Sequence, residues 1–276
     1  MLTLPQGTLL FLTMLLYLCS CLAYTPQWPK KTRKIISSPN ILMGMALVLH
    51  TAFMFYYGVE HERAPIAHIF EALIFLGWCL AVVFFFFNFS YSTPTLSKYI
   101  TPVIVVLFLV ALVGMSFSTG GIAKVEGWLI THIVAFLFAY VLFSINFLCG
   151  TLYLVKEKRL KEGSDAAFLK SLPPLEVLDK LNLRALLLGF PVMTFGVFLG
   201  LLAVQSKSDL QHWIMDKYVC LPLLSWLCYG VILHMRINSQ YRGRRVFVVT
   251  VASFIFLVVT FIGAFLVMPH YGHSFS

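Results

Sequence analysis

The residues of this chain that are best suited to chemistry are histidines in or beside long apolar segments. His50 and His234 lie within such segments, His132 opens another, and His270 and His273 follow the last one. Neutral imidazole is a good ligand for heme iron, and an apolar helical bundle offers the dry pocket that a porphyrin needs. A histidine in a membrane can equally be a packed, hydrogen-bonded residue. Iron ligation and structural packing therefore stay open for each of these side chains.

A second group of candidate ligand contacts lies in the loop 211–217, which reads QHWIMDK. Trp213 is suited to cover a flat ligand, and the neighbouring His212, Asp216 and Lys217 supply polar and charged groups on the same face. Together with the histidines near the ends of the apolar segments, this loop is compatible with a second ligand site. The alternative is a set of polar residues that simply favour the interface.

Glu71 is the acidic residue that stands out within an apolar segment, and it follows His68 at helical spacing. An acid–histidine pair of this kind is what a proton-coupled transporter uses. The alternative is a carboxylate at a helix start that is hydrogen-bonded to its neighbours. Elsewhere the sequence offers no nucleophile and base in a recognisable arrangement and no His-Glu-x-x-His, so catalysis by side chains is not expected.

The elements that must position these residues are membrane helices. The chain has 276 residues, of which 60% are hydrophobic and 11% charged, against about 25% charged in soluble domains. Apolar runs long enough to cross a bilayer predict an all-α, polytopic bundle of eight transmembrane helices in a single domain, 1–276. The predicted spans are 7–24, 40–59, 66–88, 99–117, 128–154, 184–204, 218–236 and 246–268.

The basic residues behind the net charge of +9 are concentrated in alternate loops, and this distribution predicts an orientation. Sixteen of the 20 Lys and Arg residues fall in one alternate set of loops and four in the other. The positive-inside rule then places the longest connection, 156–183, in the cytoplasm and both termini outside. The basic excess is therefore interpreted as topology and not as nucleic-acid binding. Within 156–183, leucines at helical spacing predict a short amphipathic segment. For the first half of this connection, a solvated linker is the alternative.

Several motifs resemble those of the cytochrome c assembly proteins, the membrane family that includes CcsA-type and HemX-type members. They are IFEALIFLGW at 69–78, LPPLEVLD at 172–179 with LGFP at 188–191, Gly196 and Gly200, the pair Ser225-Trp226 with Tyr229, LHMR at 233–236, YRGRR at 241–245 and HSF at 273–275. They occur in the family's order along nearly the whole chain.

The resemblance implies a protein of the bacterial cytoplasmic membrane that binds heme b through four histidines. By motif position these are His50 and His234 within helices and His132 and His273 at the outer mouth, with His270 as the rival to His273. In the CcsA type, the resemblance implies export of heme for attachment to apocytochrome c together with a second membrane subunit.

The sequence also departs from the heme-delivering members. Of their tryptophan-rich outer segment, only Trp213 and the pair Asp216-Lys217 are present. The reduced loop and the length look more like the HemX type, for which the resemblance implies control of tetrapyrrole synthesis through glutamyl-tRNA reductase. Heme handling for cytochrome assembly, regulation through that enzyme, and proton-coupled transport of a small solute are the three functional hypotheses.

Overall fold

The computed structural model describes residues 3–23, 39–63, 65–66, 69–91, 94–117, 127–163, 169, 172–204, 217–238 and 243–267. Eight long helices make up almost all of this described part, and no strand occurs in it. They are α1 (Leu4–Ala23), α2 (Pro39–His61), α3 (Ile69–Tyr91), α4 (Pro94–Phe117), α5 (Gly127–Lys161), α6 (Leu175–Val204), α7 (Lys217–Ile237) and α8 (Arg244–Val267).

The helices form two compact units, each with four members. Unit 1 spans Met1–Val125 and contains α1 to α4, and unit 2 spans Glu126–Ser276 and contains α5 to α8. Within each unit every helix packs against its neighbour in sequence, and the first helix also packs against the last. This is the order of contacts in an up-and-down four-helix bundle.

Length and hydropathy suit these helices to a membrane. In the described residues, six helices are long and apolar enough to cross a bilayer, and α3 and α4 contribute two shorter apolar stretches, Phe70–Phe86 and Tyr99–Gly114. The expectation of a polytopic, all-helical membrane bundle is confirmed. The orientation of the bundle and its description as one domain remain predictions.

Helices α5 and α6 both run further than the predicted spans. Helix α5 continues to Lys161, giving it a length of about 52 Å against a hydrocarbon core of about 30 Å. Its extension carries an ion pair between Lys161 and Glu157 at 2.8 Å, and Lys156 donates to the carbonyl of Pro173 at 2.8 Å. Residues 156–161, at the start of the 156–183 connection, are thus part of this helix.

The amphipathic segment predicted in the same connection is the first part of α6 itself. Leu178 and Leu181 are fully buried, whereas Glu176 and Lys180 are exposed and paired at 2.6 Å. Pairs with this i, i+4 spacing favour helix continuation where hydropathy no longer does. The helix therefore begins at Leu175, nine residues before the predicted span at 184.

Polar side chains join three helices of unit 2. Asn146 of α5 and Asn182 of α6 each donate to the other's backbone carbonyl, at 2.8 and 2.6 Å. Arg236 of α7 donates to the side chains of Asp179 and Asn182, and its guanidinium lies 4.7 Å from the centre of the Phe247 ring. Asn146 and Asn182 are fully buried, so these bonds satisfy groups that lipid could not.

Candidate functional site

The structure describes three of the predicted histidine ligands, in different units. His50 belongs to α2 of unit 1, while His132 and His234 belong to α5 and α7 of unit 2. His273, its rival His270, Trp213 and Asp216 lie outside the described residues. Each described histidine is therefore characterised within its own unit.

The protonation of the His132 ring is set by a backbone contact. Its Nδ1 lies 2.8 Å from the carbonyl oxygen of Gly196 on α6. A carbonyl oxygen only accepts, so Nδ1 must donate its proton to Gly196 and the lone pair must reside on Nε2. The ring is also held by Phe136, whose centre is 4.8 Å away. The arrangement is the one that metal-binding histidines use, with one nitrogen tied to a carbonyl and the other free to coordinate.

Glycines on α6 create the space for this contact. A Cβ atom at Gly200 would lie 2.7 Å from Cε1 of His132, and one at Gly196 would lie 2.9 Å from the ring of Phe136. Gly189, nearer the start of α6, packs against the ring of Phe143 in the same way. Small residues at such positions let membrane helices approach closely. The antiparallel pairing of α5 with α6 thereby places the His132 ring directly against the α6 backbone.

Replacing Gly200 by alanine should disturb His132 without removing it. The new methyl group would also lie 3.0 Å from Nδ1, so the ring must shift and the bond to Gly196 must weaken. We expect heme affinity at a site that uses His132 to fall by about 10-fold to 100-fold, the usual effect of losing an outer-shell partner. Heme titration of the purified protein measures the effect. Gly44→Ala in α2 is the matched control, because its Cβ would make only an ordinary contact, 3.6 Å from Phe85.

His50 is fully buried among aromatic side chains of unit 1. Its ring centre lies 4.8 Å from that of Phe108 and 6.0 Å from that of Tyr17, both in edge contact. Its Nδ1 lies 3.4 Å from the hydroxyl of Tyr17, and its Nε2 has no hydrogen-bond partner among the described residues. A buried polar nitrogen without a partner costs about 1–3 kcal/mol, which coordination to a metal would offset. The Nε2 of His50 could therefore hold an iron ion.

His234 occupies a different environment, because its side chain is exposed on the surface of α7. It continues an exposed stripe with Leu224, Leu227 and Val231, at helical spacing. The Asn182 and Arg236 cluster lies near the same end of the helix. An imidazole at the end of an apolar stripe is accessible to a large flat ligand lying on that stripe, and no hydrogen bond to the His234 ring occurs among the described residues of unit 2.

Glu71 takes part in a buried ion pair of unit 1. Its two carboxylate oxygens accept from the guanidinium of Arg63, each at 2.7 Å, and Oε1 also accepts from Tyr57 at 2.6 Å. Glu71 is only 5% exposed. Hydrogen bonding to Glu71 raises the pKa of Arg63 above its ordinary value, so the guanidinium side of the pair stays charged at any pH at which the protein is folded. These contacts favour the structural alternative over a proton-carrying Glu71.

The end of α2 places Arg63 for this pairing. The Arg63 amide donates to the Gly58 carbonyl at 3.3 Å, which closes the turn in the manner of a Schellman motif. Glu62 stands where such turns usually have glycine, with a φ of 51°. The chain accepts this unfavourable backbone conformation and thereby brings Arg63 back toward α3.

Sequence reasoning did not anticipate Tyr17 or the Gly196 carbonyl as histidine partners. Neither is visible in hydropathy or spacing, since each depends on how two helices pack. In the sequence, Gly196 and Gly200 stand out only as part of a family motif. Their spacing of four with small side chains on an apolar helix is the signal that marks a close helix contact.

Comparison with known proteins identifies the family. Residues 66–270 match the family described as Cytochrome C assembly protein, and this is most of the chain. The chain belongs to the cytochrome c assembly protein family, as the sequence motifs predicted. Membership implies association with heme.

Individual relatives carry two names. The chain is 23% identical to "Cytochrome c biogenesis protein CcsA" of Chlamydomonas reinhardtii over 249 residues, which cover 85% of this chain and 67% of the relative. It is 26% identical to "Protein HemX" of Brevibacillus brevis over 258 residues, covering 91% of this chain and 93% of the relative. A CcsA of Thermosynechococcus vestitus is 24% identical, with 92% and 90% covered.

Proposed function

We propose that this chain is a heme-binding protein of the bacterial cytoplasmic membrane that handles heme b for the biogenesis of c-type cytochromes. The observation that carries the proposal is the His132 ring. Its Nδ1–H donates to the Gly196 carbonyl, so the lone pair of its Nε2 is available to iron. The buried Nε2 of His50, which has no hydrogen-bond partner among the described residues, supports the proposal independently.

Four imidazoles are proposed as axial ligands: His50, His132, His234 and His273, with His270 as the alternative to His273. Trp213 and Asp216 would contact the ligand at the outer mouth. Heme supplies the iron and the flat macrocycle, and it is the cargo rather than the agent of a side-chain reaction. The chain's own residues would bind it, fix the imidazole orientations and keep water away from the iron. Apocytochrome c is the proposed recipient of the heme, and a second membrane subunit is the proposed partner in its delivery.

A HemX-type regulator is the second candidate, and one finding favours it. The HemX relative matches over 93% of its length at 26% identity, against 67% and 90% of the two CcsA relatives at 23% and 24%. In this version heme occupancy would control glutamyl-tRNA reductase. That enzyme would dock on the cytoplasmic connection 156–183, whose helical extensions carry several exposed lysines.

Gene deletion in the source organism, scored for two products, tests the proposal and separates the candidates. An assembly factor predicts loss of covalently bound heme from c-type cytochromes with unchanged glutamyl-tRNA reductase. A regulator predicts altered reductase with cytochromes spared. Complementation with His132→Ala should fail, whereas complementation with the Gly44→Ala control should succeed. Normal levels of both products after deletion would contradict both candidates.

A further inference from the structure

We propose that Tyr17 is a positioning residue for His50. The hydroxyl oxygen of Tyr17 would accept a hydrogen bond from Nδ1–H of His50 and thereby make Nε2 the nitrogen that coordinates iron. The inference rests on the proposed function, because it concerns how unit 1 would hold heme. It adds a residue from α1 that no family motif identified above contains.

Within the described part of the chain, the side chains of Tyr17 and His50 hydrogen-bond only to each other. Tyr17 and His50 are both fully buried, and their contact is 3.4 Å between the hydroxyl and Nδ1. Phe108 of α4 makes edge contacts with both rings, at 4.8 Å from His50 and 5.7 Å from Tyr17. Helices α1, α2 and α4 therefore enclose one imidazole, one phenol and one benzene ring.

This pair can share its protons in two ways. In one, Tyr17 donates to Nδ1, and Nε2 then carries a proton that has no acceptor among the described residues. In the other, Nδ1 carries the proton and donates to the Tyr17 oxygen, which leaves the lone pair on Nε2. Only the second tautomer can bind a metal through Nε2.

Tyr17 consequently has opposite roles in the two states of the site. Without a metal, donation from Tyr17 satisfies the phenol proton and favours the tautomer that does not coordinate. With iron on Nε2, the hydroxyl becomes the acceptor that orients the ring and increases the electron donation of the imidazole. Greater donation stabilises ferric iron, so the bond should lower the reduction potential of the bound heme.

The test compares Tyr17→Phe with the unaltered full-length protein in detergent, with hemin as the probe. We expect hemin affinity to fall by about 10-fold to 100-fold and the reduction potential to become more positive. Nitrogen NMR of the ferrous, low-spin protein should place the His50 proton on Nδ1. Tyr229→Phe is the matched control, because Tyr229 is also fully buried and its hydroxyl has no hydrogen-bond partner in the described part of the chain. It should change none of these quantities.

His50→Ala separates the failure of this inference from the failure of the proposed function. If His50→Ala removes heme while Tyr17→Phe leaves both affinity and potential unchanged, Tyr17 only fills space and the inference is overturned. A proton on Nε2 in the heme-loaded protein would overturn it as well. If His50→Ala leaves heme binding intact, His50 is not a ligand, and the proposed ligation falls together with the inference.

Discussion

Arg63→Ala is expected to destabilise unit 1 by about 3–5 kcal/mol, the usual cost of removing one partner of a buried ion pair. The substitution removes both guanidinium bonds to Glu71 and the bond to the Tyr57 hydroxyl. Glu71 is only 5% exposed, so its carboxylate would stay buried after losing the charge of Arg63. Thermal unfolding of the purified protein should show a clear loss of stability.

The double variant Arg63→Ala with Glu71→Gln identifies the cause. The amide of glutamine carries no charge, so its burial costs less than that of a carboxylate that has lost its Arg63 partner. We expect the double variant to be more stable than Arg63→Ala alone. Equal or lower stability would show that the ion pair matters through packing only, and it would return Glu71 to the list of candidate proton carriers.

Arg236→Ala should have the largest effect in unit 2, a destabilisation of about 2–4 kcal/mol. Arg236 joins α7 to Asp179 and Asn182 of α6 and lies over the Phe247 ring of α8. Its loss would leave the buried Oδ1 of Asn182 without that donor. The same thermal unfolding measurement applies, with detergent and lipid held constant.

Arg236→Lys tests whether the planar guanidinium is needed. One ammonium group cannot reproduce the two-pronged contact or the stacked geometry, so we expect only partial recovery. Lys180→Ala is the control, because Lys180 is exposed and its pair with Glu176 lies on the helix surface. If Arg236→Ala proves as mild as Lys180→Ala, the polar cluster does not hold the helices together.

The positions of the helices could be predicted from the sequence because hydropathy decides them. Each of the eight apolar runs became a helix, and the core of each run was correct. The errors occur where polar residues continue a helix, as at Lys161 and Leu175, since i, i+4 pairs and buried leucines replace hydropathy there. Hydropathy locates the part of a helix that crosses the membrane, but it does not determine where the helix ends in water.

The partners of the candidate ligands could not be predicted, because they depend on helix register. His132 was a candidate from its type, but its carbonyl partner requires α5 and α6 to meet at Gly196. Tyr17 is 33 residues from His50 and meets it only through the packing of α1 on α2. The sequence predicts that His234 lies near the end of its helix, but it does not show that the side chain lies on the exposed face.

The most direct test of the central claim is the absorption spectrum of the full-length protein purified from heme-replete cells. We predict a sharp, low-spin b-type spectrum that weakens in His50→Ala, His132→Ala, His234→Ala and His273→Ala. His61→Ala should leave the spectrum unchanged, because the His61 ring stacks on Tyr57 and its Nδ1 contacts the side-chain amide of Gln6. Protein that carries no heme, or a spectrum that is the same in all four variants, would contradict the account.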